Sequence, residues 1–67
     1  RPHVTLEIFN LLGRRVTTLV DEYREAGIHE ATWDGCDDRG NDVSSGIYFY
    51  RLRANNFTES KKMILMK

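Results

Sequence analysis

Residues 33–50 read Trp33-Asp34-Gly35-Cys36-Asp37-Asp38-Arg39-Gly40-Asn41-Asp42-Val43-Ser44-Ser45-Gly46-Ile47-Tyr48-Phe49-Tyr50. This pattern predicts a strand that ends at Trp33, a polar loop, and a new strand that begins near Gly46. The loop holds Gly, Asp, Asn or Ser at nearly every position, and these residues adopt or stabilise turn conformations. The bulky residues after Gly46 are typical of a strand. The stretch therefore predicts a small all-β domain.

The residues before this stretch predict a hairpin. Residues 4–9 alternate between apolar and mostly polar side chains, which is the period-two pattern of a half-buried strand. Residues 15–20 are rich in β-branched side chains and predict the returning strand. Leu11 and Leu12 lie in the turn between them, and we expect them to pack under the rim of the domain. Residues 21–26 are too few for a stable helix, so we expect a loop or a single turn there.

Two further strands surround the polar loop. Residues 28–33 alternate again, and Trp33 indicates that its face points inward. Residues 47–54 form a long predicted strand. We assign one of its faces to the core, namely Tyr48, Tyr50 and Leu52.

The last part of the chain predicts a second hairpin. Asn55-Asn56 is a two-residue turn, since Asn tolerates the left-handed backbone region. Residues 57–66 follow as the last strand, and the apolar run 63–66 suits a strand that is covered on both sides. About five strands joined by turns, without a helix of clear length, predict a small antiparallel immunoglobulin-like β-sandwich.

Size and composition limit the possible functions. A chain of 67 residues makes one domain at most, and it buries only about 60% of the surface that its unfolded form exposes, so it could depend on a partner for stability. Ten basic and ten acidic residues cancel, which gives no case for nucleic acid or an anionic membrane as a partner. No apolar run approaches the roughly 20 residues that a membrane-spanning helix needs. We predict no nucleic-acid binding and no membrane insertion.

The charges are unevenly spread along this neutral chain. Residues 34–42 hold four acids and one base, and residues 51–67 hold five bases and one acid, which we interpret as two solvated faces of opposite sign. Cys36 is the single cysteine and cannot form an internal disulfide. Because the sequence opens on Arg1-Pro2-His3, which resembles neither a signal peptide nor a natural start, we expect residues 1–67 to be one domain at the C-terminal part of a longer protein.

Five segments in order match a known family pattern. They are Val4-Thr5-Leu6-Glu7-Ile8-Phe9-Asn10-Leu11-Leu12-Gly13-Arg14-Arg15-Val16, Ala26-Gly27-Ile28-His29 through Trp33-Asp34-Gly35, Asp37-Asp38-Arg39-Gly40-Asn41, Ser45-Gly46-Ile47-Tyr48-Phe49-Tyr50-Arg51-Leu52 and Lys61-Lys62-Met63-Ile64-Leu65-Met66-Lys67. In these segments the chain resembles the C-terminal sorting domain (type A) of type IX secretion substrates. It also resembles a close relative of that domain, the immunoglobulin-like domain of flagellar hook-capping proteins.

The resemblance implies a secreted or cell-surface protein of a Gram-negative bacterium. In such proteins the domain is a non-catalytic targeting module that directs a passenger to an outer-membrane translocon. Its partners are then proteins, either the secretion machinery or neighbouring subunits. The family's machinery reads the terminal segment, which places partner recognition on Lys61, Lys62, Met63, Ile64, Leu65, Met66 and Lys67.

The chain departs from the family pattern in two places. The family has a further strand upstream of the segment that matches residues 4–16, and this strand has no counterpart here. We therefore expect the sandwich to lack one edge strand, and an open edge invites pairing with another chain, including a second copy. In addition, Cys36 stands where the family carries a polar residue.

The sequence favours structural roles over metal binding and catalysis for its polar residues. A calcium site could draw on Asp34, Asp37, Asp38 and Asp42. Their spacing does not match an EF-hand loop, so we interpret these residues as turn caps. His3 and His29 lack a second ligand at zinc spacing, and nothing in the sequence supports a Cys36–His29 catalytic pair. We predict no metal, no cofactor and no enzymatic activity.

Three hypotheses about function remain open from the sequence. The first is the targeting module that the resemblance implies. The second is a structural immunoglobulin-like module that assembles with neighbouring chains by strand complementation, in a surface filament or cap. The third is a passive spacer or accessory domain of a surface enzyme.

Overall fold

Four strands form a single antiparallel sheet in the computed structural model, which describes residues 2–25 and 31–66. The strands are β1 (His3–Phe9), β2 (Arg15–Tyr23), β3 (Gly46–Ala54) and β4 (Phe57–Leu65). Their order across the sheet is β2-β1-β3-β4, so β1 and β3 are central and β2 and β4 are edges. The all-β antiparallel prediction is confirmed. No helix within the described ranges is long and apolar enough to cross a membrane.

The hairpin between β1 and β2 is closed by one side chain. Asn10 Oδ1 accepts hydrogen bonds from the backbone N–H groups of Leu12 and Arg14, both at 3.0 Å, and Gly13 supplies the positive φ of 79° that the turn requires. With the turn closed in this way, the two leucines project into solvent, where Leu11 is 67% and Leu12 82% exposed. The prediction that they pack under the rim is wrong.

Strand β2 is longer than the sequence suggested. It continues to Tyr23, because its last residues pair with the beginning of β1, and Arg24 N–H then donates to the Pro2 carbonyl at 3.0 Å. The prediction of a loop or turn from residue 21 is therefore wrong. The predicted strand at residues 28–33 lies partly outside the described residues, and residues 31–33 are not in a strand.

The β3–β4 hairpin is the most regular part of the sheet. All nine residues of β3 pair with all nine residues of β4, from Gly46 opposite Leu65 to Ala54 opposite Phe57, without a register shift. Asn55 has a φ of 54° in the connecting turn, which confirms the predicted left-handed position. By contrast, the β1–β2 pairing is interrupted by two register shifts.

The sheet has one apolar face, which we call the groove face. It carries Val4, Leu6 and Ile8 from β1, Val20 from β2, Tyr48, Tyr50 and Leu52 from β3, and Met63 from β4. The buried hydrophobic residues among those described are Ile8, Val20 and Tyr48, at 1%, 6% and 8% exposure. The assignment of the Tyr48 side of β3 to the core is confirmed. We call the opposite side of the sheet the outer face.

Candidate interaction site

An open groove of about 620 Å³ runs along the groove face. Most of its wall is aliphatic or aromatic, and the wall includes Val4, Leu6, Ile8, Val20, Trp33, Tyr50, Leu52 and Met63. Arg24 and Glu25 add charge to this wall. Since every strand contributes to it, the groove is a continuous apolar surface that spans the sheet.

Two aromatic side chains fasten the polar loop to the sheet. The ring of Trp33 meets the ring of Tyr48 edge to face, with centroids 5.1 Å apart. Trp33 Nε1 donates to the Cys36 carbonyl at 2.9 Å, and the Tyr48 hydroxyl donates to the Ser44 carbonyl at 2.6 Å. Both ends of the loop are thus held by the same aromatic pair, and the predicted inward position of Trp33 is confirmed.

The acidic side chains of this loop stabilise its turns. Asp37 Oδ1 accepts hydrogen bonds from the N–H groups of Arg39 and Asn41, at 2.9 and 3.0 Å. Asp34 Oδ1 accepts from the Cys36 N–H at 3.0 Å. These are local side chain-to-backbone bonds of the kind that stabilise turns, so the predicted capping role is observed for both carboxylates. Within the described ranges, no three or more His, Cys, Asp or Glu residues come together as a metal site.

The other two acidic residues of the candidate calcium set, which the sequence analysis interprets as turn caps, make other contacts. Asp38 faces Arg15 of β2, with 3.5 Å between Oδ2 and Nη2. Asp42 Oδ1 accepts a hydrogen bond from Cys36 Sγ at 3.4 Å, across an isolated antiparallel bridge between these two residues. Asp34 and Asp42 therefore both contact Cys36, whereas Asp37 caps its own turn and Asp38 faces β2.

The surroundings of the loop thiol raise its pKa. The hydrogen bond to Asp42 is the main cause that raises the pKa of Cys36, and the negative charge of Asp34 adds to it. The thiolate is the nucleophilic form of cysteine, and this environment disfavours it. The Cys36–His29 pair considered from the sequence cannot be located, because His29 lies outside the described residues.

The predicted recognition residues divide between the two faces of β4. Lys61 and Met63 stand opposite Tyr50 and Tyr48 and so share the groove face. Lys62 points to the outer face, because alternate residues of a strand point to opposite sides. The terminal segment therefore presents a cation on each face of the sheet.

The apolar residues of the same segment are only partly covered. Ile64 is 65% and Met66 86% exposed, whereas Leu65 is half-buried. In the chain by itself both side chains are exposed, so coverage of this run on both sides requires a partner and stays a prediction. Lys67, the last of the predicted recognition residues, lies outside the described residues.

Among the ion pairs that the sequence analysis does not predict, one lies on each face of the sheet. Glu59 lies two residues before Lys61 on the groove face and binds its ammonium at 3.0 Å, a contact that raises the pKa of Lys61. On the outer face, Arg51 binds Glu7 at 3.0 Å and lies 4.8 Å from the centre of the Phe9 ring. The Glu59–Lys61 pair could have been predicted from the sequence, because residues two apart in a strand lie on the same face. The Arg51–Glu7 pair appears only once β1 and β3 are placed in register.

Comparison with known proteins identifies the family. The family model of the FlgD Ig-like domain matches residues 2–57, which cover β1, β2, the polar loop and β3. Searches of curated proteins and of solved structures gave no match. The match confirms the hook-capping, immunoglobulin-like part of the resemblance, while the type IX sorting part stays a prediction. The chain belongs to the FlgD Ig-like domain family.

Proposed function

We propose that the chain is a non-catalytic structural module of the hook-capping type, whose groove face is covered by a segment of a neighbouring chain in an assembly at the bacterial surface. The observation that carries this proposal is the open apolar groove of about 620 Å³ on one side of the sheet. A sheet that is hydrophobic on one face is stable when that face packs against another layer. Membership of the FlgD Ig-like domain family supports the structural role.

The energetic benefit of covering the groove is large for a domain of this size. Burying one aliphatic side chain contributes roughly 1.5–3 kcal/mol. At about 0.05–0.15 kcal/mol per residue, a chain of 67 residues has a total stability of about 3–10 kcal/mol. An incoming strand that buries two or three apolar side chains therefore contributes as much as the whole folded chain retains, and assembly and folding become coupled.

The solution mass of the chain tests this proposal. Light scattering over a dilution series should show a discrete oligomer that dissociates as the concentration falls. Leu52→Thr changes the groove wall and should weaken association by about tenfold. Ile47→Thr is the matched control, because Ile47 lies on the outer face of the same strand and is 39% exposed. A stable monomer at every concentration would refute strand complementation between copies.

A second candidate function, targeting, has an observation of its own in favour. The segment 61–66 lies at an edge of the sheet, exposes Ile64 and Met66, and falls outside the residues that the family model matches. A partner can bind an exposed edge strand by adding a strand that hydrogen-bonds to its backbone. In this reading, the terminal segment directs a secreted passenger to an outer-membrane translocon.

Export of a fused passenger by a bacterium with type IX machinery tests the targeting function. Removing residues 61–67 should abolish export, and substitution of Ile64 and Met66 by Ser should reduce it without unfolding the sheet. Leu11 and Leu12 offer a matched control, since they are equally apolar and exposed but lie in the β1–β2 turn. Export that survives the changes at Ile64 and Met66 would exclude recognition of this segment's side chains.

A further inference from the structure

The two edges of the sheet differ in their readiness to pair with another strand. At the β2 edge, the polar loop contributes a hydrogen bond from Asp38 N–H to the Val16 carbonyl at 3.2 Å, and the ladder behind it has two register shifts. At the opposite edge, β4 pairs along its whole length with β3 and without a shift. Bulges and covering loops protect sheet edges, whereas long regular edge strands invite pairing. Strand addition is therefore expected at β4.

The charges of β4 restrict how two copies of this strand can pair. Antiparallel pairing of identical strands places a two-fold axis on one residue, and residues equally far from the axis then stand opposite each other. An axis on Glu59, Lys61 or Lys62 would set each of these charges against its own copy, which is unfavourable. An axis on Ser60 sets Glu59 opposite the second copy's Lys61, twice by symmetry.

The same register also matches the apolar side chains. With the axis on Ser60, Phe57 stands opposite Met63 of the second copy, and both lie on the groove face. Phe57 is 53% exposed in the isolated chain, so pairing with a second copy can bury further apolar surface of its ring. Because a two-fold axis perpendicular to a sheet keeps each face on its own side, the two groove faces join into one continuous surface.

We propose that β4 pairs antiparallel with β4 of a second copy, with Ser60 on the two-fold axis, to form a continuous eight-stranded sheet. The inference rests on the proposed structural function, since it assumes that the module assembles, and it goes beyond that function by naming a second contact, at the β4 edge, with its partner and register. Glu59 and Lys61, which bind each other within one chain at 3.0 Å, exchange partners across the interface.

Charge reversal tests the pairing and its register. Glu59→Lys and Lys61→Glu should each weaken self-association by about tenfold or more, because each change sets like charges opposite each other twice. An equimolar mixture of the two variants should form a mixed dimer as strong as that of the unchanged chain, and the doubly reversed chain should also associate fully. Circular dichroism establishes that each variant is folded, which matters most for Glu59→Lys because the Glu59 side chain is 35% exposed against 63% for Lys61.

Disulfide trapping gives an independent readout of the axis. In a Cys36→Ser background, Ser60→Cys should form an intermolecular disulfide, because residues directly opposite in an antiparallel pair are within disulfide range. Thr58→Cys is the matched control: the two copies of residue 58 would lie four residues apart along the strand, about 13 Å, which is too far for a disulfide.

The outcomes separate this inference from the proposed function. If both single variants associate as strongly as the unchanged chain while Leu52→Thr dissociates it, then the β4 pairing is wrong and groove-mediated assembly stands. If the unchanged chain is monomeric at all concentrations, the β4 pairing and groove-mediated assembly between copies are both overturned. Mutual rescue of the two variants together with trapping at residue 60 establishes the register.

Discussion

Replacing Ile8 by Val tests directly which face of the sheet is its core. Ile8 is 1% exposed, so the removed methylene comes from the most buried side chain of the described sheet. An Ile-to-Val change in a core costs about 0.5–1.5 kcal/mol, and for a domain of this size each 1 kcal/mol lowers the Tm by about 4–8 °C. Both residues are β-branched, so the strand propensity is unchanged. We therefore expect Ile8→Val to lower the Tm by about 2–12 °C, with about 4–8 °C at a cost of about 1 kcal/mol.

The same change at Ile47 is the control. Ile47 lies on the outer face of β3, is 39% exposed, and should cost less than about 0.5 kcal/mol when it becomes Val. Urea denaturation followed by circular dichroism gives both free energies of unfolding, and equal m-values verify that the unfolding reaction is the same in both variants. If Ile47→Val costs as much as Ile8→Val, the two faces are equally buried, and the assignment of the core to the groove face fails.

Three further predictions concern contacts of the polar loop. Tyr48→Phe removes the hydroxyl that donates to the Ser44 carbonyl at 2.6 Å and should lower the free energy of unfolding, measured in urea, by about 1 kcal/mol. An unchanged free energy of unfolding would mean that water replaces this hydrogen bond. Asp37→Ala removes two accepted hydrogen bonds and should lower the free energy of unfolding by about 1–2 kcal/mol in the same assay. Asp38→Ala, the control, should lower it by less than about 0.5 kcal/mol, and equal losses would contradict the capping role of Asp37. Asp42→Ala removes the main cause that raises the pKa of Cys36, so more thiolate should form at a given pH. Alkylation of Cys36 by iodoacetamide at about pH 8 should therefore become faster, and an unchanged rate would show that Asp42 does not raise the pKa of this thiol.

Local patterns were sufficient for the hairpins and for the choice of the core face. The observed bounds of β1, β3 and β4 differ from the predicted bounds by one residue at most. The period of two also assigned Tyr48 and Ile8 to the buried side. Asn55 was predictable as a turn residue because few residues other than Gly and Asn adopt a positive φ without strain.

The errors have a common physical origin in contacts between segments that are distant in the sequence. The length of β2 depends on backbone pairing with β1, which the polar residues from position 21 onward do not reveal. Leu11 and Leu12 were assigned to the interior by hydrophobicity alone, but the Asn10 side chain closes the turn and directs both outward. The Arg51–Glu7 contact needs the β1–β3 register, which a single strand does not contain.

The terminal strand has two roles that must be separated before either function can be assigned. β4 completes the sheet by pairing with every residue of β3, and it also carries the edge and the side chains that a partner would read. Deleting residues 61–67 removes both at once, because the loss leaves the first half of β3 without its neighbour. Substitutions at Glu59, Lys61 and Ile64 change only side chains and leave the backbone ladder intact. The response to these substitutions therefore reports on partners, whereas the response to the deletion also reports on folding.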